Sequence, residues 1–167
     1  MQKPEFLLFT ALCAMMSESS EGAVAYESLL WIVQLPNASV CEYVLQYSDF
    51  VPHTLTSLAN LFRALPNAAE APLLDELMAG SYPAVDMFFR RWSYVDEVCR
   101  SSYQLMQRAV AEQLHHSFLV AIVQPMLLDD REAVACWTTN FIKHLCINAQ
   151  SHTLRHALVH FLLGVSG

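Results

Sequence analysis

Three histidines, His152, His156 and His160, recur at every fourth residue. That spacing puts them on one face of a helix. Two imidazoles at i,i+4 can hold zinc when a further ligand and a catalytic carboxylate stand near, as in the HExxH pattern. Here no glutamate follows His152, and no cysteine or carboxylate lies close by in sequence. A solvated polar face opposite Leu154, Leu158 and Phe161 accounts for the spacing equally well. A metal-dependent helical enzyme centred on these three histidines is therefore the alternative reading, and no metal is assigned to them. His115-His116 falls where a helix break is expected, a position for caps and surface imidazoles. Asp129-Asp130 could imitate a carboxylate pair, but adjacent helical side chains diverge, and capping is the simpler role. The chain has no GxSxG elbow, no glycine-rich phosphate loop and no DxDxD-like acidic array. Nothing specific supports catalysis or a cofactor, and the expectation is a protein that is not an enzyme.

The strongest binding signal is Phe88-Phe89-Arg90-Arg91-Trp92-Ser93-Tyr94. Arginine, tryptophan and tyrosine dominate binding hot spots because they join large contact area to polar reach. Arg90, Arg91, Trp92 and Tyr94 are the candidate protein-interface residues. The competing reading places Phe88, Phe89, Trp92 and Val95 in the core and the arginines on the wet face.

Composition narrows the partner. Sixteen Asp and Glu stand against nine Lys and Arg, a net charge of −7, and no basic run exceeds the pair Arg90-Arg91. Nucleic acids and anionic membranes draw proteins through Lys and Arg, so both are poor partners for this chain. Residues are 54% hydrophobic and only 15% charged, which excludes a disordered chain and leaves packed or partner-ready surfaces. No stretch approaches the ~18 uninterrupted apolar residues of a membrane span. Cys13, Cys41, Cys99, Cys136 and Cys146 form no CxxC pair and all lie in apolar stretches, as expected of buried, reduced thiols in a cytosolic protein. Lys3 and the run from Phe6 to Met16 imitate a signal peptide. Glu5 directly before the run, and the lack of a small-x-small site after it, favour a helix with Phe6, Phe9, Leu12 or Cys13, and Met16 on one face.

These residues must be positioned by helices, since the apolar period is 3.6 throughout. The first helix opens after Pro4. A second spans about Glu21 to Leu35, with Val24, Leu29, Trp31, Ile32, Val33 and Leu35 on a broad apolar surface. Asn37 caps a third, Ala38 to Tyr47, with Val40, Tyr43, Val44 and Tyr47 in register. The fourth starts at Asp49 with Pro52, ends near Leu65-Pro66, and turns Leu55, Leu58, Leu61, Phe62 and Leu65 inward. Residues 67–83 read as an internal connecting loop with one short turn at Leu73 to Met78. A long helical stretch follows from Ala84 to about Gln113, with Asp86–Arg90 and Asp96–Arg100 as i,i+4 pairs. A break near His115 precedes Ser117 to Leu128, which Pro125 should kink or end. Asp129 and Glu132 suggest a capping box for a helix of about Asp130 to Ile147, with Val134, Trp137, Phe141, Ile142 and Leu145 buried. Ser151 caps the last helix, which turns Leu154, Leu158, Phe161 and Leu162 inward and stops at Gly164. The expected fold is all-α: stacked antiparallel helical hairpins, an armadillo/HEAT-like solenoid segment, with a globular helical bundle as the alternative. The whole of 1–167 reads as a single domain.

Several stretches, in order, resemble one family. They are Ala25-Tyr26-Glu27-Ser28-Leu29 with Val33-Gln34-Leu35-Pro36, and Leu58-Ala59-Asn60-Leu61-Phe62-Arg63-Ala64-Leu65-Pro66. Trp92-Ser93-Tyr94-Val95-Asp96, His115, Phe118 to Pro125 with Leu127, and Phe161-Leu162-Leu163-Gly164 follow. At this spacing they are similar to the conserved domain of the FTS- and Hook-interacting protein (FHIP) family, from about Phe6 to Gly164. The stretch from Leu58 to Pro66 is the most specific. The resemblance implies a large helical scaffold that joins FTS to Hook-type adaptors and helps tether dynein to endosomes through Rab-family small GTPases. It implies that this chain is an internal segment of that scaffold, a fragment of a longer helical array, cytoplasmic and peripheral on endosomes through its partners. Exposed terminal repeats would favour self-association of such a fragment. Arg90, Arg91 and Ser93 depart from the family pattern, residues 67–83 diverge, and the triple-histidine face is not a family feature. The family's partner-contacting residues find no assigned positions here.

Overall fold

The computed structural model of the protein describes residues 6–17, 19–66, 82–100 and 103–164. The expected short turn at Leu73 to Met78, and nearly all of the 67–83 connection, lie outside the described residues. Among the described residues the chain is helical and contains no strand. The helices are α1 (Leu7–Ala14), α2 (Ser20–Val33), α3 (Ala38–Tyr47), α4 (Phe50–Arg63) and α5 (Pro83–Cys99). After them come α6 (Gln104–Leu114), a π-helical segment (His115–Val123), α7 (Gln124–Leu127), α8 (Glu132–Asn148) and α9 (His152–Leu163).

Local chemistry sets several of these boundaries. The Asn37 carboxamide oxygen accepts the Ser39 and Val40 N–H groups at 3.0 and 3.2 Å, satisfying donors that the first turn of α3 leaves open. The Ser19 and Ser151 hydroxyls do the same for Gly22 and Leu154, each at 3.1 Å. Gly164 ends α9 at φ +61°, a left-handed conformation that a glycine adopts without a Cβ clash. The capping box expected from Asp129 is not formed. Asp129 accepts the Arg131 backbone N–H at 2.9 Å and grips its guanidinium at 2.8 Å through each oxygen, and α8 begins one residue later, at Glu132.

Two helix limits depart from the sequence reading. The stretch expected to run on to Gln113 ends at Cys99, and Tyr103 opens α6. The apolar phase Val85, Phe88, Trp92, Val95, Cys99 carries on through Met106 and Val110, which hides the end of α5 at Cys99. Conversely, no break occurs at His115. The chain continues from α6 into a π winding that passes into α7, and Pro125, which has no N–H to donate, falls at that junction. Leu114, Phe118, Leu119 and Val123 are all fully buried, a spacing of four to five that suits the wider π turn. The Ser117 hydroxyl donates to the Gln113 carbonyl at 2.6 Å, an intrusion that loosens regular α winding.

The core is aromatic at its centre. Phe62 on α4 meets Phe141 at 4.8 Å, Phe118 at 5.3 Å, Trp137 at 6.0 Å and Phe88 at 6.1 Å between ring centroids. Trp137 stacks on Phe141 at 5.5 Å. Every stripe residue expected of α8 is buried. Packing runs largely between chain neighbours, from α1 on α2 through α5 on α6, as stacked hairpins require. Further contacts of α6 with α3, α4 and α9 tie distant hairpins together. The result is an all-α array whose packing fits a solenoid-like stack or a bundle.

Some apolar residues turn the other way. Val24, Trp31 and Leu35 of α2 and its end are exposed, as is Leu162 of α9, whereas Ala25, Tyr26, Leu29 and Val33 face the core. A broad apolar helix offers two usable flanks, and only one meets neighbours here.

Candidate functional site

Along α5 the cluster singled out in the sequence divides between core and surface. Phe88, Trp92 and Val95 are fully buried, Arg91 is 93% buried, Tyr94 is partly buried and Arg90 is exposed. Trp92 thus serves the core, and Arg90 presents the cluster to solvent. Arg91 lies across α2, its guanidinium carbon 3.4 Å from the centroid of the Tyr26 ring and 5.8 Å from that of Tyr94. A guanidinium is weakly hydrated and planar, so stacking on an aromatic face offsets much of its burial. The two tyrosine rings meet edge to face at 5.1 Å. Burial, the largest influence, pushes the Tyr94 hydroxyl well above the usual phenol range, despite the nearby Arg91.

Above this stack lies a groove of about 520 Å³ between α5 and the start of α2. Arg90, Arg91 and Tyr94 form one wall with Met87, and Ser19, Tyr26 and Glu27 are on the other. Gln34 donates to Glu97 at 3.2 Å and ties the far ends of the two helices. The sequence reading missed Tyr26, which stands 65 residues before Arg91 and carries no local mark of the pairing. The groove offers a cation at its rim, aromatic faces and hydroxyls. It contains no activated nucleophile.

The other reactive-looking residues are likewise quiet. Burial, followed by the nearby Asp49 carboxylate, raises the Cys13 thiol to about 11. Burial and then Asp96 raise Cys99 to about 12, and burial also raises Cys41 and Cys146. Such thiols stay protonated near neutrality and are poor nucleophiles. The expectation that all five cysteines are buried fails at Cys136, which is exposed on the outer flank of α8; the five are free thiols. His152, His156 and His160 form a column along α9, with ring centroids 6.2 and 4.3 Å apart. Among the described residues, no group of three or more His, Cys, Asp or Glu is placed to hold a metal ion. The helical metalloenzyme alternative therefore finds no ligand set there. His115 meets His116 at 5.3 Å and Phe161 at 6.3 Å; burial, His116 and His160 hold its pKa below the usual imidazole value.

The pair expected between Asp96 and Arg100 is also replaced. Asp96 is buried and accepts backbone N–H groups from the start of α9, while Arg100 pairs with Glu97 at 3.1 Å and reaches Gln150 at 3.2 Å. Among the described residues, no helix is long and apolar enough to cross a membrane.

Comparison with known proteins places this architecture. The RAI16-like family, described as retinoic acid induced 16-like protein, matches residues 1–166. The chain is 28% identical to the rat FHF complex subunit HOOK-interacting protein 1B, with 94% of this chain and 22% of that protein aligned. The human protein of the same name gives 28% identity over 94% of this chain and 18% of its own length. A FHIP family protein of Drosophila melanogaster gives 22% identity over 95% and 16%. The chain spans about a fifth of the length of these curated relatives. With the match running through every described helix, the chain belongs to the RAI16-like family, that of the FTS- and Hook-interacting proteins.

Proposed function

We propose that this chain is a non-catalytic, protein-binding helical segment of a Hook-interacting complex subunit. The single observation that carries this reading is the family match over residues 1–166, with relatives named as subunits of the FHF complex. In this reading the segment stacks within a longer helical scaffold that joins Hook-type adaptors and FTS and engages a Rab-family GTPase. It works in the cytoplasm, peripheral on endosomes through those partners. The stacked Arg91, with Arg90 at the rim and Tyr94 beneath, is the proposed contact for one of these proteins.

The test is a reciprocal pull-down from cells expressing the tagged full-length protein, with and without Arg90→Glu. Recovery of Hook and FTS, weakened several-fold by Arg90→Glu, is the expected result. Absence of Hook, FTS and Rab-type proteins from the unsubstituted pull-down overturns the reading.

A further inference from the structure

The stretch leading into α2 reads Ser17-Glu18-Ser19-Ser20-Glu21, three serines set among glutamates. Ser17 and Ser19 are exposed and line the groove at Arg90, across from Arg90 and Arg91. Serine beside carboxylates is the charge pattern that acid-directed protein kinases select. Ser19 holds an extended backbone, φ −81° and ψ 172°, and stands next to a helix turn whose own donors are open.

The three hydroxyls are not equivalent. Ser20 donates to Glu21 at 3.1 Å and stands outside the described groove lining, so a phosphate there would face a carboxylate. Ser17 lies ahead of the helix, its hydroxyl 2.9 Å from that of Ser19. Ser19 is the N-cap of α2 and accepts the Gly22 N–H at 3.1 Å. A phosphate at this position meets the first-turn N–H groups of a 14-residue helix and the positive end of its dipole. The turn already favours an anion. The Glu21 carboxyl is held below its usual range, first by its own backbone N–H and then by the Ser19 and Ser20 hydroxyls.

The facing wall supplies the counter-charge. The i,i+4 pair of Asp86 with Arg90 does not close, and among the described residues Arg90 makes no ion pair. Arg90 is exposed at the rim, whereas Arg91 lies on the Tyr26 ring. Glu27 is the one carboxylate among the described lining residues, against two guanidiniums. We propose that Ser19 is a phosphorylation site whose phosphate pairs with Arg90 across the groove and withdraws that arginine from a partner protein. The withdrawal rests on the reading of Arg90 as a partner contact; the site itself does not. A kinase moves the γ-phosphoryl group of ATP to the Ser19 Oγ. The Oγ–P bond forms, the bond from the γ-phosphorus to the bridging oxygen breaks, ADP leaves, and the hydroxyl proton passes to the kinase's base. The product carries a charge of about −2 and three acceptor oxygens, a match for the donor fork of a guanidinium.

The test takes the 167-residue chain from cultured animal cells lysed with phosphatase inhibitors. Intact mass spectrometry should show a species heavier by about 80 Da, removed by phosphatase and mapped to Ser19 by fragmentation. Ser19→Asn keeps the cap, so it should lose that species with circular dichroism unaltered. Phosphorus NMR of the chain phosphorylated by a recombinant acid-directed casein kinase reads the contact. The second pKa of the phosphate should rise by about half a unit in Arg90→Gln. It should not move in Arg108→Gln, which removes an exposed charge on α6. In a pull-down, the phosphorylated chain should retain several-fold less Hook than its phosphatase-treated twin. Phosphate confined to Ser17 or Ser20, a Ser19 refused both in cells and by the kinase, or a titration indifferent to Arg90→Gln overturns the proposal. Equal Hook capture by the two forms overturns the withdrawal of Arg90. Capture by neither overturns the proposed function instead, because the mass and phosphorus readings need no partner and still decide Ser19 and Arg90.

Discussion

The carboxylate of Asp96 accepts the backbone N–H of Ser151 at 2.9 Å, across 55 residues of chain. The same carboxylate accepts the Gln150 N–H at 3.1 Å, and the Ser151 hydroxyl then caps α9 from within. The middle of α5 thus terminates a helix in a different hairpin, using a buried charge where donors would otherwise be left open. Asp96→Ala should cost about 1–3 kcal/mol and lower the urea midpoint without changing its slope. Asp96→Asn, which keeps one acceptor oxygen, should cost less. Hydrogen exchange should quicken first in α9.

Arg91 and Arg90 are neighbours with opposite expectations. Arg91→Ala removes a stacked, buried side chain and should cost about 1–3 kcal/mol. Arg91→Lys should recover little, because an ammonium cannot lie flat across Tyr26. Arg90→Ala should stay within about 0.5 kcal/mol. Thermal melts of the three variants check this ordering, and equal effects at both positions would contradict the geometry.

Gly22 gives a sign reversal. Alanine is the better helix former by about 1 kcal/mol, yet a Cβ at Gly22 would run into the Ser17 carbonyl oxygen. That contact is with backbone rather than a flexible side-chain tip. Gly22→Ala should therefore destabilise by about 1–3 kcal/mol. A melting temperature at or above that of the unsubstituted chain would show that the turn before α2 can yield.

His115 predicts a pH dependence. Its folded pKa lies below the unfolded value of about 6.5 because of burial, His116 and His160. Between those two values the unfolded chain binds more protons, so stability rises with pH. The contribution is full above about 6.5 and is lost as pH falls toward the lowered folded value. Denaturation midpoints measured from pH 7.5 to 5.5 should fall, and His115→Gln should flatten that decline.

Thiol labelling separates the cysteines. Cys136 is exposed, while Cys41 and Cys99 are buried and Cys99 is raised to about 12. A disulfide reagent at pH 7.5 should modify Cys136 first and reach Cys99 only with unfolding.

What the sequence determined by itself was local. The Asn37, Ser151 and Gly164 caps, and the buried stripe from Val134 to Leu145, depend on residues within a turn or two of each other. Interactions of that range leave a spacing that can be read, as does the all-α class that follows from a constant 3.6 period. The family resemblance was legible for the same reason, being carried by ordered short stretches such as Leu58 to Pro66. Tertiary structure decided which flank of each helix is used. Trp31 faces outward and Arg91 inward because α5 packs its arginine on Tyr26, not on Trp31. Asp96 looked like the partner of Arg100 and instead caps α9, and the apolar phase across Cys99 and Met106 concealed the end of α5 at Cys99. The candidate groove belongs to this second class. It is built by residues brought together across tens of positions, where no periodicity within one helix records the neighbour it will meet.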